Sequence, residues 1–185
     1  MSWNRGAIVV STVYMRLFLC LALLACEKAP PPVAVSNTPT VHAAPHEVMA
    51  TIERTGCYGW CPSYTVTIYR DGVVEYHGDS FVKQKGDHKG RLDPSEIAKL
   101  DALFAQAHYV QLKDSYTEYN VTDMPSVSTS YRPEGGPLKK IDHYLGDSSP
   151  PEGLGEVEDG LDAAVRIDQW IGTKAEREKF AREWR

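Results

Sequence analysis

The run Tyr64-Thr65-Val66-Thr67-Ile68-Tyr69 alternates apolar and hydroxyl side chains with period two, so a strand here sends one set to each face. Arg70-Asp71-Gly72 follows, and then a second strand-forming run, Val73-Val74-Glu75-Tyr76-His77. The length of the connection decides the register. A two-residue turn at Asp71-Gly72 would set Ile68 opposite Glu75 and mix core with solvent. A three-residue loop with Gly72 left-handed pairs Ile68 with Val74 and Val66 with Tyr76. That register gathers Tyr64, Val66, Ile68, Val74 and Tyr76 on one face, and leaves Thr65, Thr67, Glu75 and His77 on the other. A half-buried antiparallel hairpin is therefore the expected centre of the fold.

Other elements fall around it. Val48 to Arg54 reads as a preceding strand. Asp93 can cap a helix, Pro94 suits its first position and Glu96 can close a capping box, with Leu92 placed to pack on Ile97 as a hydrophobic staple. Ile97, Leu100, Leu103, Phe104 and Ala107 give that helix one apolar stripe, ending near Ala107 or His108, where the histidine suits a last turn. Ser126 to Arg132 and Leu138 to Tyr144 read as two further strands. Pro150-Pro151 opens a second helix, with Leu154, Val157, Leu161, Val165 and Trp170 or Ile171 facing inward. Gly153, Gly155 and Gly160 weaken it by about 1 kcal/mol each, so packing must compensate. The order predicts an α+β domain over residues 47–172, an antiparallel sheet with two helices on one face, followed by a charged helical tail over 173–185.

The first residues belong to something else. Leu17 to Ala25 is an apolar run too short to span a bilayer comfortably; it follows Arg16 and ends in Leu23-Leu24-Ala25-Cys26. These last four residues resemble a lipobox, in which a small residue at Ala25 admits the peptidase and the Cys26 thiol accepts the lipid. Residues 1–25 then form a lipoprotein signal, with Met1 or Met15 as the start. The alternative is a plain membrane anchor over Gly6 to Ala25, in which Arg16 would cost about 3 kcal/mol at mid-bilayer. Residues 26–46, with Ala29-Pro30-Pro31-Pro32, Pro39 and Pro45, read as an extended tether. Attachment through acyl chains such as palmitate would hold the protein at a bacterial membrane. For a Gram-negative host, Glu27 in place of Asp after the cysteine points to the outer membrane, facing the periplasm.

Composition narrows the partners. The formal net charge is -5 and the pI near 5.7, against the basic face that a nucleic-acid binder needs. Of the four cysteines, the signal removes Cys20 and lipid consumes Cys26, which leaves Cys57 and Cys61 in a compartment where thiols oxidise. A disulfide is the expectation. Thiol exchange would want Cys-x-x-Cys opening a helix, whereas this spacing is one longer and a strand follows. A metal site would need two more ligands, with His77, His88 and His143 the candidates.

Gly56-Cys57-Tyr58-Gly59-Trp60-Cys61-Pro62-Ser63-Tyr64, followed by Asp71-Gly72, resembles a bacterial family catalogued as domain of unknown function 6438. The resemblance extends through Phe81 to Gly86, the capped helix, Leu112 to Tyr116, Thr122 to Pro125 and Ile141 to Tyr144, ending near Gln169 to Ile171. Trp60 departs from the smaller residue expected at its position. The resemblance implies exported, lipid-anchored proteins and brings no activity with it.

Nucleophile elbows, phosphate loops and zinc-protease signatures do not occur in the sequence. The favoured expectation is a non-catalytic envelope module without cofactor, whose partner meets Tyr58 and Trp60. Asp123 sits in the longest irregular stretch, where with Tyr116, Tyr119 and His143 it could line a pocket for a small ligand or a reaction; the other reading has it satisfying backbone donors in a turn.

Overall fold

The computed structural model describes residues 46–118 and 121–183. Seven strands form one sheet in the order β4-β3-β2-β1-β6-β7-β5. In chain order they are β1 (Val48–Arg54), β2 (Ser63–Tyr69), β3 (Val73–Ser80), β4 (Gly86–Arg91), β5 (Ser115–Tyr116), β6 (Ser126–Tyr131) and β7 (Lys139–Tyr144). All neighbours are antiparallel except β5, which runs parallel to β7. The helices are α1 (Pro94–Gln106), α2 (Glu152–Ala164), α3 (Asp168–Ile171) and α4 (Lys174–Glu183), with a 3-10 turn at Tyr109–Gln111.

The β2–β3 hairpin takes the three-residue connection. Ile68 lies opposite Val74 and Val66 opposite Tyr76, with Gly72 at a φ of +84°. A Cβ at Gly72 would stand 2.4 Å from the Leu92 carbonyl oxygen, so this position needs glycine for space as well as for its dihedral. A bulge between Val48 and Ala50 turns both Met49 and Ala50 into the core.

One face of the sheet is covered. Ile52, Tyr64, Val66, Ile68, Val74, Tyr76, Val127 and Ile141 are buried there with Leu100 and Phe104 of α1 and Leu154, Val157 and Leu161 of α2. Phe104 stacks on Tyr131 with centroids 3.9 Å apart, and Trp170 of α3 stacks on Tyr76 at 4.8 Å. The opposite face is polar and self-paired: Thr51 with Ser130 at 2.6 Å, Glu75 with Lys89 at 2.9 Å, His77 with Asp87 at 2.6 Å. This alternation is what period-two patterning requires of a sheet with one wet face.

The capping box at α1 is complete. Asp93 accepts from the Ser95 and Glu96 amides, and Glu96 accepts from the Asp93 amide at 2.8 Å. His108 lies just beyond this helix at a φ of +51°, where it breaks the helical path into the 3-10 turn. Gly153 and Gly160 of α2 have a packing reason, whereas Gly155 faces open space. A Cβ at Gly160 would approach Leu103 to 2.3 Å and one at Gly153 would meet the Ala107 backbone at 3.3 Å, so they let α2 close onto α1. The inward stripe continues past α2, but the chain turns at Arg166 (φ +52°), so Trp170 and Ile171 reach the core from the separate helix α3.

Candidate functional site

The β1–β2 connection leaves the sheet at Arg54 and is fastened at once. The Thr55 amide donates to the Ser126 carbonyl at 3.0 Å, and the Ser126 amide donates back to the Thr55 hydroxyl at 2.9 Å. Cys57 and Cys61 are joined by a disulfide with Cα atoms 5.5 Å apart. Inside the closed loop the Gly59 amide donates to the Cys57 carbonyl at 2.8 Å. The Tyr58 amide donates to the Asp123 carbonyl at 3.4 Å, which ties the loop to the 121–125 segment. Tyr58 itself is thrust outward, 91% exposed.

Trp60 lies on the other side of the loop. Its ring meets Phe81 edge-on, centroids 5.1 Å apart and planes at 79°. Phe81 directly follows β3 and holds a φ of +54°, an unfavourable conformation for a bulky side chain and one kept only where the surroundings impose it. The segment behind it is pinned to α3: the Gln84 amide donates to the Trp170 carbonyl at 2.8 Å and its side chain to the Gln169 carbonyl at 3.1 Å.

Between these pieces lies a cleft of about 460 Å³ lined by Trp60, Ser80, Phe81, Val82, Lys83, Lys85 and Arg177. Its floor is apolar and its rim cationic. Lys83 pairs with Glu176 at 3.0 Å, and Glu176 also accepts from the Thr173 amide at 2.7 Å, capping α4. The Thr173 amide first, and then Lys83, hold the Glu176 carboxyl down at about 2 from its ordinary 4.5. Arg177 reaches Asp168 at 3.5 Å and the Gly172 carbonyl.

A second cluster lies under α2. Arg54 donates to Asp162 at 2.8 Å and approaches Asp159 at 3.7 Å, while the Tyr64 hydroxyl donates to Asp162 at 2.8 Å. Burial pushes the Asp162 carboxyl up, and the neighbouring Arg54 charge offsets only part of that; burial also pushes the Tyr64 phenol up, reinforced by Asp162. His143 and Glu158 are both buried and 2.7 Å apart. These contacts bolt α2 to β1, β2 and β7. Sequence reading missed the α2 carboxylates, although one signal was there: Glu158 lies four residues after Leu154 and three before Leu161, on the buried stripe.

The sequence candidates separate. Tyr116 and His143 are register partners across β5 and β7, and both are buried. The Tyr116 hydroxyl accepts from the Lys113 amide, while His143 is engaged by Glu158. Asp123 is exposed at a φ of +66°, its carboxylate accepting from Thr122 and its carbonyl holding the Tyr58 loop. It thus stands with Tyr58 rather than with Tyr116 and His143. Tyr119 lies outside the described residues, as do Cys26 and the tether up to residue 45. His77 is taken by Asp87 and His88 by the Lys85 carbonyl, and no group of three His, Cys, Asp or Glu among the described residues could hold a metal ion.

The family model described as domain of unknown function (DUF6438) matches residues 49–165, from β1 to the end of α2. The chain belongs to that family. The match takes in the stapled loop, the hairpin and the cluster under α2, and ends before α3 and α4. No curated relative matches the sequence. Arg177, on the cleft rim, thus stands outside the family match, whereas Trp60, Phe81, Lys83 and Lys85 lie within it.

Proposed function

We propose that this DUF6438 domain is a non-catalytic binding module of an exported cell-envelope lipoprotein, attached through Cys26 and meeting a partner with the Tyr58–Trp60–Phe81 end of its sheet. The observation that carries this reading is a stapled loop that holds one aromatic ring almost wholly in solvent and another along the wall of a largely apolar cleft. Large exposed side chains mark contact surfaces when they cluster. Here Tyr58, Phe81, Val121 and Met124, all more than 40% exposed, sit at one end of the sheet.

The disulfide supports an oxidising compartment, in keeping with export. The direction of β1 supports a partner away from the anchor. The described chain enters at His46, where the ring stacks on Tyr69 at 3.6 Å and pairs with Asp71 at 3.0 Å. β1 then runs its seven residues, about 23 Å at about 3.3 Å per residue, to the opposite end where the aromatic loop begins. Under this reading the tether holds one end of the domain and the aromatics face outward from the other.

Crosslinking of the intact protein in its own envelope tests it. Loss of one specific adduct in both Tyr58→Ala and Trp60→Ala is expected. An adduct pattern identical to the parent protein in both variants removes the contact surface.

A further inference from the structure

We propose that the cleft between Trp60 and Phe81 takes an acidic peptide segment anchored by one aromatic or aliphatic side chain; this deepens the binding-module reading and rests on it. The volume of about 460 Å³ suits one or two side chains, the scale of a peptide anchor pocket. The walls offered to that side chain are Trp60, Phe81 and Val82. Around them stand Lys83, Lys85 and Arg177, and among the described residues no carboxylate lines the cleft. Glu176 and Asp168 balance two of these cations, so in a chain of net charge -5 the cleft keeps the positive charge of Lys85, and this favours an anionic partner.

The three cations differ in what they have left to give. Glu176 fixes Lys83, and Asp168 and the Gly172 carbonyl fix Arg177, which holds their side chains at the rim. Lys85 makes no ion pair among the described residues, so its charge is the most available to a flanking Asp or Glu of the partner. An anionic bilayer would also answer to aromatics with basic neighbours. Two features favour the peptide: the site is a concave slot rather than a protruding apolar ridge, and it opens at the end of β1 opposite His46.

The test is fluorescence anisotropy with the full chain and three short labelled peptides: Trp or Phe flanked by Asp and Glu, the same aromatic flanked by Lys and Arg, and the acidic sequence with Ala for the aromatic. The acidic aromatic peptide is expected to bind at least about tenfold tighter than either control, and more weakly as salt rises from about 0.05 to about 0.5 M. Lys85→Glu should lower its affinity by about tenfold, and Lys85→Gln by less; both replace an exposed side chain and leave the core untouched. Phe81→Ala should abolish the preference for the aromatic. Should that variant fail to fold, the two Lys85 variants still decide the matter.

Equal binding of the basic peptide, or binding unchanged in Lys85→Glu, overturns the acidic-peptide assignment while the wider binding reading stands on its crosslinks. Saturable, Lys85-dependent binding of monomeric dihexanoylphosphatidylglycerol with no peptide bound overturns it in favour of a lipid headgroup. No binding by any probe overturns it as well.

Discussion

Trp60 and Phe81 meet edge-on, centroids 5.1 Å apart, although one belongs to the disulfide loop before β2 and the other to the segment after β3. The contact makes the two sides of the cleft interdependent. The disulfide places Trp60, and the ties between Gln84 and α3 place Phe81. Its consequence is that the staple should matter more for the surface than for the fold.

The Cys57→Ser/Cys61→Ser double variant should therefore remain folded and lose about 2 kcal/mol of stability, the chain-entropy value for closing so short a loop. Urea unfolding of the two proteins measures this. Trp60 should become more accessible to acrylamide in the variant before any global unfolding. Complete unfolding in buffer would show that the core depends on the staple, contrary to its place at the sheet's end.

The cluster under α2 should behave in the opposite way. Asp162→Ala leaves the Arg54 cation and the Tyr64 hydroxyl without their shared partner, at a cost of about 2 kcal/mol, below that of a fully buried ion pair because the contact is partly exposed and Arg54 keeps Asp159 at 3.7 Å. Tyr64→Phe removes one hydrogen bond while Arg54 and Asp162 keep each other, so about 1 kcal/mol is expected. Denaturant midpoints decide between them. Equal losses in the two variants would mean that Asp162 serves Tyr64 alone.

These two contrasts show what could be read from the chain alone. Period two between Tyr64 and Tyr76, with Gly72 in the loop, was enough to choose the hairpin register, because the alternative buries Glu75. The Asp93–Glu96 box marked the start of α1 through local chemistry. β4 escaped notice because Gly-Asp-His-Lys-Gly-Arg is an edge strand, and edges carry charge and glycine in place of an apolar alternation. β5 is two residues long and pairs in parallel with β7, a long-range contact with no local signal. Asp123, Tyr116 and His143 were grouped by residue type; which of them share a neighbourhood depends on that same pairing.

The acid response of α4 is a third expectation. Glu176 has its folded value at about 2, below the ordinary 4.5, so its contribution to stability is fully present above 4.5 and is lost as pH falls toward 2. Carboxyl chemical shifts followed by NMR should give a Glu176 midpoint near 2, with protection of the Arg177 amide fading over the same range. Lys83→Ala should raise that midpoint only part of the way to 4.5, because the Thr173 amide still donates. A midpoint at 4.5 in the unaltered protein would mean that α4 is not capped through Glu176.

The most direct test of the central claim is a photocrosslinking side chain placed in turn at Tyr58 and at Leu138 of the intact, membrane-attached protein. Both positions are exposed and apolar, but Tyr58 lies at the stapled end of the sheet and Leu138 precedes β7 at the end where the chain enters. The account predicts one dominant adduct from Tyr58 in the envelope, abolished by Phe81→Ala, and none of that species from Leu138. The same adduct from both positions, or an adduct from Leu138 alone, would contradict it.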